Sequence, residues 1–248
     1  MENAPVITIS ANRVQPEYSE RFYQWVYEAY YPLRMKTTWL KGIEAYRIVK
    51  ESPEYNLSMS IYQFESLNDL ENAYNSPDWI ATSKDRDTSY QRTARGERFW
   101  QAAYQLMKSF ANEQTASPTN KGKGTDDSQI IHLEGYRLAP DEEERFDTWF
   151  TKWGYEVYIP LLMKLPGLKQ YVRYKYAHVN IPDTDKTKRY VEYPPYLSIL
   201  TFENIKAFEN YEKSLELAAY RSCIAAYFPK GLDFRWYVQY QLMRNWRK

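Results

Sequence analysis

Apolar and polar residues alternate in two parts of this chain, and each part continues with apolar residues at helical spacing. The alternation at residues 6–12 and 131–136 predicts two strands, because successive side chains of a strand point to opposite faces. Apolar side chains at steps of three and four over residues 18–33 and 146–157 predict helices with one buried stripe. The sequence therefore predicts the same strand–helix pair twice.

Both parts then continue in the same order. The first part predicts three further strands and two helical stretches, at residues 43–49, 57–64 and 99–107 and at 66–74 and 76–95. The second part predicts three strands and one long helix, at residues 168–176, 196–202 and 235–243 and at 205–220. The order β-α-β-β-α-β in each part is typical of the ferredoxin-like fold.

Residue matches between the two parts indicate a duplication. Residues 13–25 share Arg, Pro, Glu, Arg, Phe and Trp with residues 137–149, and Tyr-Gln-Leu-Met recurs at 104–107 and 240–243. Further matches are Pro-Leu-x-Met-Lys at 32–36 and 160–164, and Gly42 with Tyr46 against Gly167 with Tyr171. We therefore interpret the chain as a tandem repeat of one module.

The stretch between the repeats is a predicted linker. Residues 111–129 contain no large apolar side chain and are rich in Thr, Asn, Ser, Gly and Lys, a composition that cannot bury enough surface to order itself. We expect a first ferredoxin-like module at residues 1–110 and a second at 130–248. A sheet with helices on one face leaves its other face bare. The predicted fold class is α+β, with two antiparallel sheets packed face to face as an intrachain pseudo-dimeric barrel.

A short motif resembles a known family. The pattern Trp149, then Tyr158-Ile159-Pro160-Leu161, then Leu165-Pro166-Gly167-Leu168 and Tyr171 resembles the signature of the EthD-like family, in the dimeric α+β barrel superfamily. The first repeat has a weaker form, with Trp25, Tyr30-Tyr31-Pro32-Leu33, Gly42 and Tyr46. The superfamily implies cofactor-free monooxygenases, isomerases or decarboxylases of small aromatic compounds, haem enzymes, or modules that only bind ligands.

The resemblance breaks at one residue that bears on chemistry. Where the family has a histidine, this chain has Tyr30 and Tyr158. A tyrosine with its usual pKa near 10 is a poor base at neutral pH, although it donates hydrogen bonds well. We therefore expect these two side chains to orient a ligand rather than to accept a proton.

The candidate acid–base pair lies in the second repeat. His132 and Glu134 share one face of the predicted strand with Tyr136, about 7 Å apart along the strand. Since the apolar set should meet the helices, we expect this polar set to point into the space between the sheets. The first repeat has Thr8 and Ser10 at the matching positions.

The last strand of each repeat also has a polar face. Arg235, Tyr237, Gln239 and Gln241 alternate with apolar residues in the second repeat, and Gln101 and Gln105 repeat this side in the first. A buried arginine must be paired or must face a ligand. We expect a ligand site formed by Tyr30, Tyr158, Tyr136, Arg235, Tyr237, Gln105 and Gln241, with His132 as base and Glu134 as its partner.

Composition narrows the classes of function. The chain has 33 Lys and Arg residues against 32 Asp and Glu residues, so its net charge is close to zero. Without an excess of basic residues, the sequence does not predict nucleic-acid binding. No apolar stretch reaches the length of a membrane span, and the single cysteine fits a reducing, cytoplasmic location. We expect no metal, because no Cys/His cluster has ligand spacing. We also expect no haem or other cofactor, since only His132 or His178, in a long insertion, could bind its iron.

The sequence leaves two classes of function open. One is a binding module, without catalysis, whose polar and aromatic cavity holds a small molecule. The other is a metal-free, monooxygenase-like or isomerase-like enzyme acting on a small aromatic or hydrophobic compound. The chain is expected to be a monomer with an intrachain pseudo-dimer, or a homodimer through exposed sheet edges.

Overall fold

A computed structural model describes residues 4–14, 16–50, 58–93, 97–112, 128–177, 193–228, 230 and 232–248. Contacts divide the chain into two compact units. Unit 1 contains Met1–Leu106, Tyr176–Tyr193 and Leu242–Lys248, and unit 2 contains Met107–Lys175 and Pro194–Gln241. Residues 113–127 of the predicted linker, and His178 in the long insertion, lie outside the described residues. The module boundaries at residues 110 and 130 stay a prediction.

Unit 1 has an antiparallel sheet in the order β2-β3-β1-β4. Its strands are β1 (Val6–Arg13), β2 (Leu40–Ile48), β3 (Ser58–Phe64) and the first part of β4 (Glu97–Ala111). Its helices are α1 (Ser19–Trp25), α2 (Tyr31–Arg34), α3 (Leu67–Asn75) and α4 (Pro77–Thr93). A 3-10 turn (Pro16–Tyr18) precedes α1, and a π-helical turn (Val26–Tyr30) joins α1 to α2.

Unit 2 repeats this plan, with the order β6-β7-β5-β8. Its strands are β5 (Ile130–Arg137), β6 (Leu168–Tyr176), β7 (Tyr196–Phe202) and the first part of β8 (Asp233–Arg247). Its helices are α5 (Glu143–Trp149), α6 (Ile159–Leu162), α7 (Ile205–Glu212) and α8 (Leu215–Tyr227). A longer π-helical segment (Phe150–Tyr158) joins α5 to α6.

The eight strands form one closed antiparallel order, β1-β3-β2-β8-β5-β7-β6-β4. The order closes because β4 and β8 each continue from one unit into the other. In unit 1 the end of the chain pairs with β2, where the Lys248 amide donates to the Lys41 carbonyl at 3.1 Å. In unit 2 the amide of Asn112, just after β4, donates to the Lys169 carbonyl at 2.9 Å. The predicted fold class, an α+β barrel of two ferredoxin-like modules, is confirmed.

The helices of each unit cover one face of its sheet. The core of unit 2 includes Phe146 of α5, Phe150 of the π-helical segment, Leu200 and Phe202 of β7, and Phe208 of α7. Burying such aromatic and aliphatic side chains contributes about 1.5–3 kcal/mol each to the folded state. The strand β7 is buried along its whole length, so both of its faces are covered.

Several element boundaries differ from the sequence predictions. The single helix predicted at 205–220 is two helices, because Ser214 starts a new one by accepting a bond from the Leu217 amide at 3.2 Å. The last strands are longer than predicted, and β4 runs to Ala111, the first residue of the predicted linker. No helix among the described residues has the length and apolar character needed to cross a membrane.

The strand pairings show that Gly42 and Gly167 are not equivalent residues, so this match between the repeats is wrong. Leu40 pairs with Phe64 in unit 1, and Leu168 pairs with Phe202 in unit 2, so the leucines are the equivalent residues. Gly167 has φ +82° and an added Cβ would lie 2.4 Å from the Cβ of Ala207. Glycine is therefore needed here, because the backbone is left-handed and packs closely against Ala207 of α7.

Candidate functional site

The candidate pair lies between the sheet and the helices of unit 2. The ring of His132 packs against Phe208 and Tyr211 of α7, with centroid distances of 5.1 and 6.3 Å. The prediction that His132 and Glu134 point away from the helices is therefore wrong. The physical reason is that α7 presents a tyrosine hydroxyl to this face, so a polar side chain there finds a partner.

His132 is held from two sides and has no exposed surface. The side-chain amide of Gln239, directly opposite on β8, lies 3.0 Å from Nδ1 of the imidazole. The other ring nitrogen, Nε2, lies 3.3 Å from Oε1 of Glu134 but is not aligned for a hydrogen bond with any described residue. With the Gln239 amide donating to Nδ1, the proton of the neutral imidazole is on Nε2, beside the carboxylate.

Glu134 differs from His132 in having one oxygen left open. Tyr211 donates its hydroxyl to Oε1 at 3.2 Å, the same oxygen that faces the imidazole. No described residue binds Oε2, and the side chain keeps 11% of its exposure. The accessible acceptor of the pair is therefore Oε2 of Glu134, whereas both nitrogens of His132 face protein groups.

Four aromatic rings stack beside this pair. Tyr158 and Tyr220 lie with centroids 4.2 Å apart and planes within 9° of parallel. Trp153 is stacked on Tyr158 at 5.5 Å, and Trp149 is stacked on Trp153 at 4.8 Å. Trp153 and Tyr158 lie in the π-helical segment, and Trp149 is the last residue of α5. Departures from α-helix to π-helix are frequent at functional sites.

A second polar cluster borders the site on the side of β8. Tyr237 packs edge-on against His132 at 4.3 Å and donates its hydroxyl to Glu212 at the end of α7. Arg221 of α8 donates to the same hydroxyl at 3.0 Å and lies 3.8 Å from Glu212. Tyr237, Glu212 and Arg221 thus link β8, α7 and α8 beside the imidazole.

The tyrosines of the site are held in their neutral form. Burial raises the pKa of Tyr158 and of Tyr211 well above the usual value, and the charge of Glu134 raises both further. Burial also raises the pKa of Tyr220, and neighbouring tyrosines and Glu134 add to the rise. These hydroxyls are therefore hydrogen-bond donors over the whole physiological pH range.

Tyr136, a predicted ligand-binding residue, belongs to a separate buried network. Its hydroxyl accepts a bond at 3.1 Å from Arg173, which is fully buried on β6. Arg173 also donates to Asp147 at 2.8 Å, and Tyr196 donates to the other oxygen of Asp147 at 2.8 Å. The hydroxyl of Tyr136 therefore binds a buried guanidinium rather than a ligand.

The remaining predicted site residues are not gathered around Glu134. Tyr30 belongs to unit 1, where it accepts a bond from Arg34 at 2.9 Å. Arg235 is about half exposed and forms an ion pair with Asp233 at 2.6 Å. Gln105 lies opposite Val6 and Gln241 lies opposite Ile130, in the last strand of each repeat.

Sequence patterning does not identify three residues of the site. Tyr211 and Tyr220 lie in helices whose aromatic residues are typical of core packing, and alternation in the last strand gives Gln239 a polar face without a role. The spacing of Phe208 and Tyr211 puts them on one helix face. That spacing was the available signal for a tyrosine reaching the sheet.

The described residues around Glu134 do not form a site for a metal ion or a haem iron. No group of three or more His, Cys, Asp or Glu side chains in the described part of the chain could hold a metal ion. His132 does not offer a nitrogen to a haem iron, because its ring lies against Phe208, Tyr211 and Tyr237 and its nitrogens face Gln239 and Glu134.

Comparison with solved structures finds the same fold over nearly the whole chain. A candidate monooxygenase from Fusobacterium nucleatum has 11% identity and a TM-score of 0.63, covering 100% of this chain and 96% of that one. An anthrone oxidase-like protein has 12% identity and a TM-score of 0.60, covering 99% and 93%. A chlorite dismutase variant from Candidatus Nitrospira defluvii has 12% identity and a TM-score of 0.58, covering 98% and 93%.

These similarities show that the chain has the α+β barrel fold of these solved structures. At such identities they do not carry over an activity, since one fold hosts many functions. No family model matches the sequence, and no curated protein matches it. Function has to be argued from the site itself.

Proposed function

We propose that this protein binds a small aromatic compound on the helix side of the unit 2 sheet, beside Glu134. The observation that carries the proposal is the open Oε2 of a carboxylate that is otherwise buried and held by Tyr211. A buried charge is costly unless it is paired or hydrogen-bonded, so a ligand that donates to Oε2 is favoured.

An aromatic ligand fits the surroundings of this carboxylate. Tyr158, Tyr220 and Trp153 stack on one another in near-parallel planes, and a ligand ring that joined this stack would gain about 0.5–1.5 kcal/mol beyond its area burial. The ligand would place its ring on this stack and a hydroxyl against Glu134. A compound of this type is also the kind of molecule suggested by the name of the anthrone oxidase-like neighbour.

Neutral phenols test this proposal directly. We expect phenol, 4-ethylphenol or 2-naphthol to raise the melting temperature, because a ligand that binds only the folded state stabilises it. Glu134→Gln should weaken binding about tenfold in calorimetric titration, since a bond to a charged acceptor exceeds a neutral one by about 1.4 kcal/mol. Glu209→Gln on the exposed side of α7 is the control and should bind like wild type. The proposal fails when no phenol binds or when both variants weaken binding equally.

A second function is favoured by the pairing of His132 with Glu134. In a metal-free enzyme, Oε2 of Glu134 would accept a proton from an acidic carbon or hydroxyl of the substrate. The Nε2–H of His132 and the Tyr211 hydroxyl would stabilise the charge on Oε1 before the transfer. This reverses the roles predicted from the sequence, because His132 presents no accessible nitrogen.

Anthrone distinguishes the enzyme from the binding module. Removal of a proton from its CH₂ group gives an anion that O₂ oxidises, with anthraquinone and one water as products. We expect wild type to exceed the spontaneous rate, and Glu134→Gln to lower the excess about 100-fold, as for loss of a general base. Absorbance and O₂ uptake measure the rate. A wild-type rate equal to the buffer rate, or an unchanged Glu134→Gln rate, would favour binding without catalysis.

Other features remain part of this proposal. The EthD-like relationship rests on the motif around Tyr158 and Pro160, and the tandem duplication rests on the residue matches between the repeats. A cytoplasmic location rests on the single cysteine. Whether the chain is a monomer or a homodimer is open to measurement by light scattering.

A further inference from the structure

The charges around the proposed site are unbalanced. Glu212 has a cationic partner, because the guanidinium of Arg221 lies 3.8 Å from it and also donates to Tyr237. No described lysine or arginine forms an ion pair with Glu134, whose ion-pair partner is His132. The Gln239 amide nitrogen beside Nδ1 favours the Nε2–H tautomer, and Nε2 is not aligned for a hydrogen bond to Oε1, so the imidazole leaves the carboxylate incompletely paired.

Tyrosine rings surround the uncompensated carboxylate. Tyr211 binds Oε1 directly, and Tyr237 lies edge-on against the imidazole that faces the same oxygen. Tyr158, whose pKa burial and then the charge of Glu134 raise, stacks on Tyr220 with ring centroids 4.2 Å apart. Aromatic faces attract cations through their quadrupole, and a desolvated aromatic cage with a carboxylate is suited to an ammonium group.

We propose that the ligand of this site carries an ammonium group next to its aromatic ring, and that Oε2 of Glu134 binds this group. This inference rests on the proposed function and names its ligand class as a small arylalkylamine. The ammonium would supply the missing positive charge, and its N–H groups would donate to the open oxygen. A phenol without the amine would satisfy only the hydrogen bond.

Three matched probes isolate the charge. Tyramine, 4-ethylphenol and 3-(4-hydroxyphenyl)propionate share a phenol ring and an ethyl chain but carry a positive, no and a negative charge at pH 7. In calorimetric titration of wild type we expect tyramine to bind about tenfold more tightly than 4-ethylphenol, as for a charge-assisted bond, and the propionate to bind most weakly. This ranking is measured on the wild-type chain and does not depend on the folding of a variant.

Glu134→Gln assigns the preference to one residue. The substitution keeps the shape of the side chain and removes its charge, so tyramine and 4-ethylphenol should then bind within about twofold of each other. Glu209→Gln, with the same change of charge on the exposed face of α7, should keep the tenfold preference. Melting curves of both variants establish that they are folded.

The outcomes separate this inference from the proposed function. Equal wild-type affinity for tyramine and 4-ethylphenol, or a preference that survives Glu134→Gln, overturns the ammonium inference while phenol binding still supports the site. Failure of all three probes to bind overturns both. A preference for tyramine that is lost only in Glu134→Gln supports the ammonium class of ligand.

Discussion

Asp147→Ala is expected to lower the free energy of unfolding by about 3 kcal/mol, measured by guanidinium chloride denaturation. Asp147 accepts from Arg173 at 2.8 Å and from Tyr196 at 2.8 Å. Arg173 has no exposed surface, so loss of the carboxylate leaves a buried cation without its counter-charge. Breaking a buried ion pair from one side typically costs about 3–5 kcal/mol, and the 29% exposure of Asp147 places this case at the lower end.

A second substitution separates the charge from the packing. The double variant Asp147→Ala/Arg173→Met removes the stranded cation and keeps an unbranched side chain, so it should be more stable than Asp147→Ala alone. Glu144→Ala on the exposed face of α5 is the control, with an expected change within about 0.5 kcal/mol. Equal or greater loss of stability in the double variant would mean that the ion pair is not what Asp147 contributes.

The fold could be predicted from the sequence because its determinants are local. Alternation and 3.6-residue periodicity depend on neighbouring residues, and they placed each strand and helix in order. The π-helical segment (Phe150–Tyr158) could not be predicted this way, because it looks like ordinary helix at the level of apolar spacing. The break before α8 had a local signal, since Ser214 and Ser76 both cap a helix three residues before a buried side chain.

The site was predictable only in part. Alternation in β5 established that His132 and Glu134 share a face, and this is correct. It could not establish which face meets the helices, because that depends on residues about 80 positions away, such as Tyr211. The prediction requires that polar side chains of the sheet point away from the helices. Helices rich in tyrosine instead provide hydrogen-bond partners for such side chains, as Tyr211 does for Glu134. The same long-range dependence explains why Tyr136 was read as a ligand contact and is a partner of Arg173.

The two units use equivalent positions for different purposes. Thr8 takes the place of His132, and Ala103 lies opposite it where Gln239 lies in unit 2. The hydroxyl of Thr8 is buried without a described hydrogen-bond partner. Small residues in unit 1 thus replace the imidazole and amide of the candidate site.

On the helices of unit 1, Arg34 and Trp79 are larger than the residues at the matching positions of unit 2. They match Leu162 and Leu217 of unit 2, by the Pro-Leu-x-Met-Lys repeat and by the serine caps before α4 and α8. The guanidinium of Arg34 lies 3.9 Å from the centroid of the Trp79 ring and has almost no exposed surface. No carboxylate among the described residues pairs with it. Unit 1 therefore has an arginine and an indole where unit 2 has two leucines.

Arg34→Ala is expected to lower the free energy of unfolding by about 3–5 kcal/mol, by the same denaturation measurement. The substitution removes donors to Tyr30, to the Trp79 carbonyl and to Ser83, at 2.9, 2.8 and 2.6 Å, and it leaves a cavity beside the indole. Arg34→Leu, the residue found in unit 2, should cost only about 1–2 kcal/mol. The leucine fills part of the space, and removing a cation that has no carboxylate partner recovers its desolvation cost.

Exposed Arg21 provides the matched control, because Arg21→Ala should change stability by less than about 0.5 kcal/mol. A loss in Arg34→Leu as large as in Arg34→Ala would show that the hydrogen bonds of the guanidinium, rather than its volume, hold unit 1 together. A small loss in both would mean that Trp79 alone fills the interior. The predicted order, with Arg34→Ala less stable than Arg34→Leu, follows because leucine fills part of the volume that alanine leaves empty.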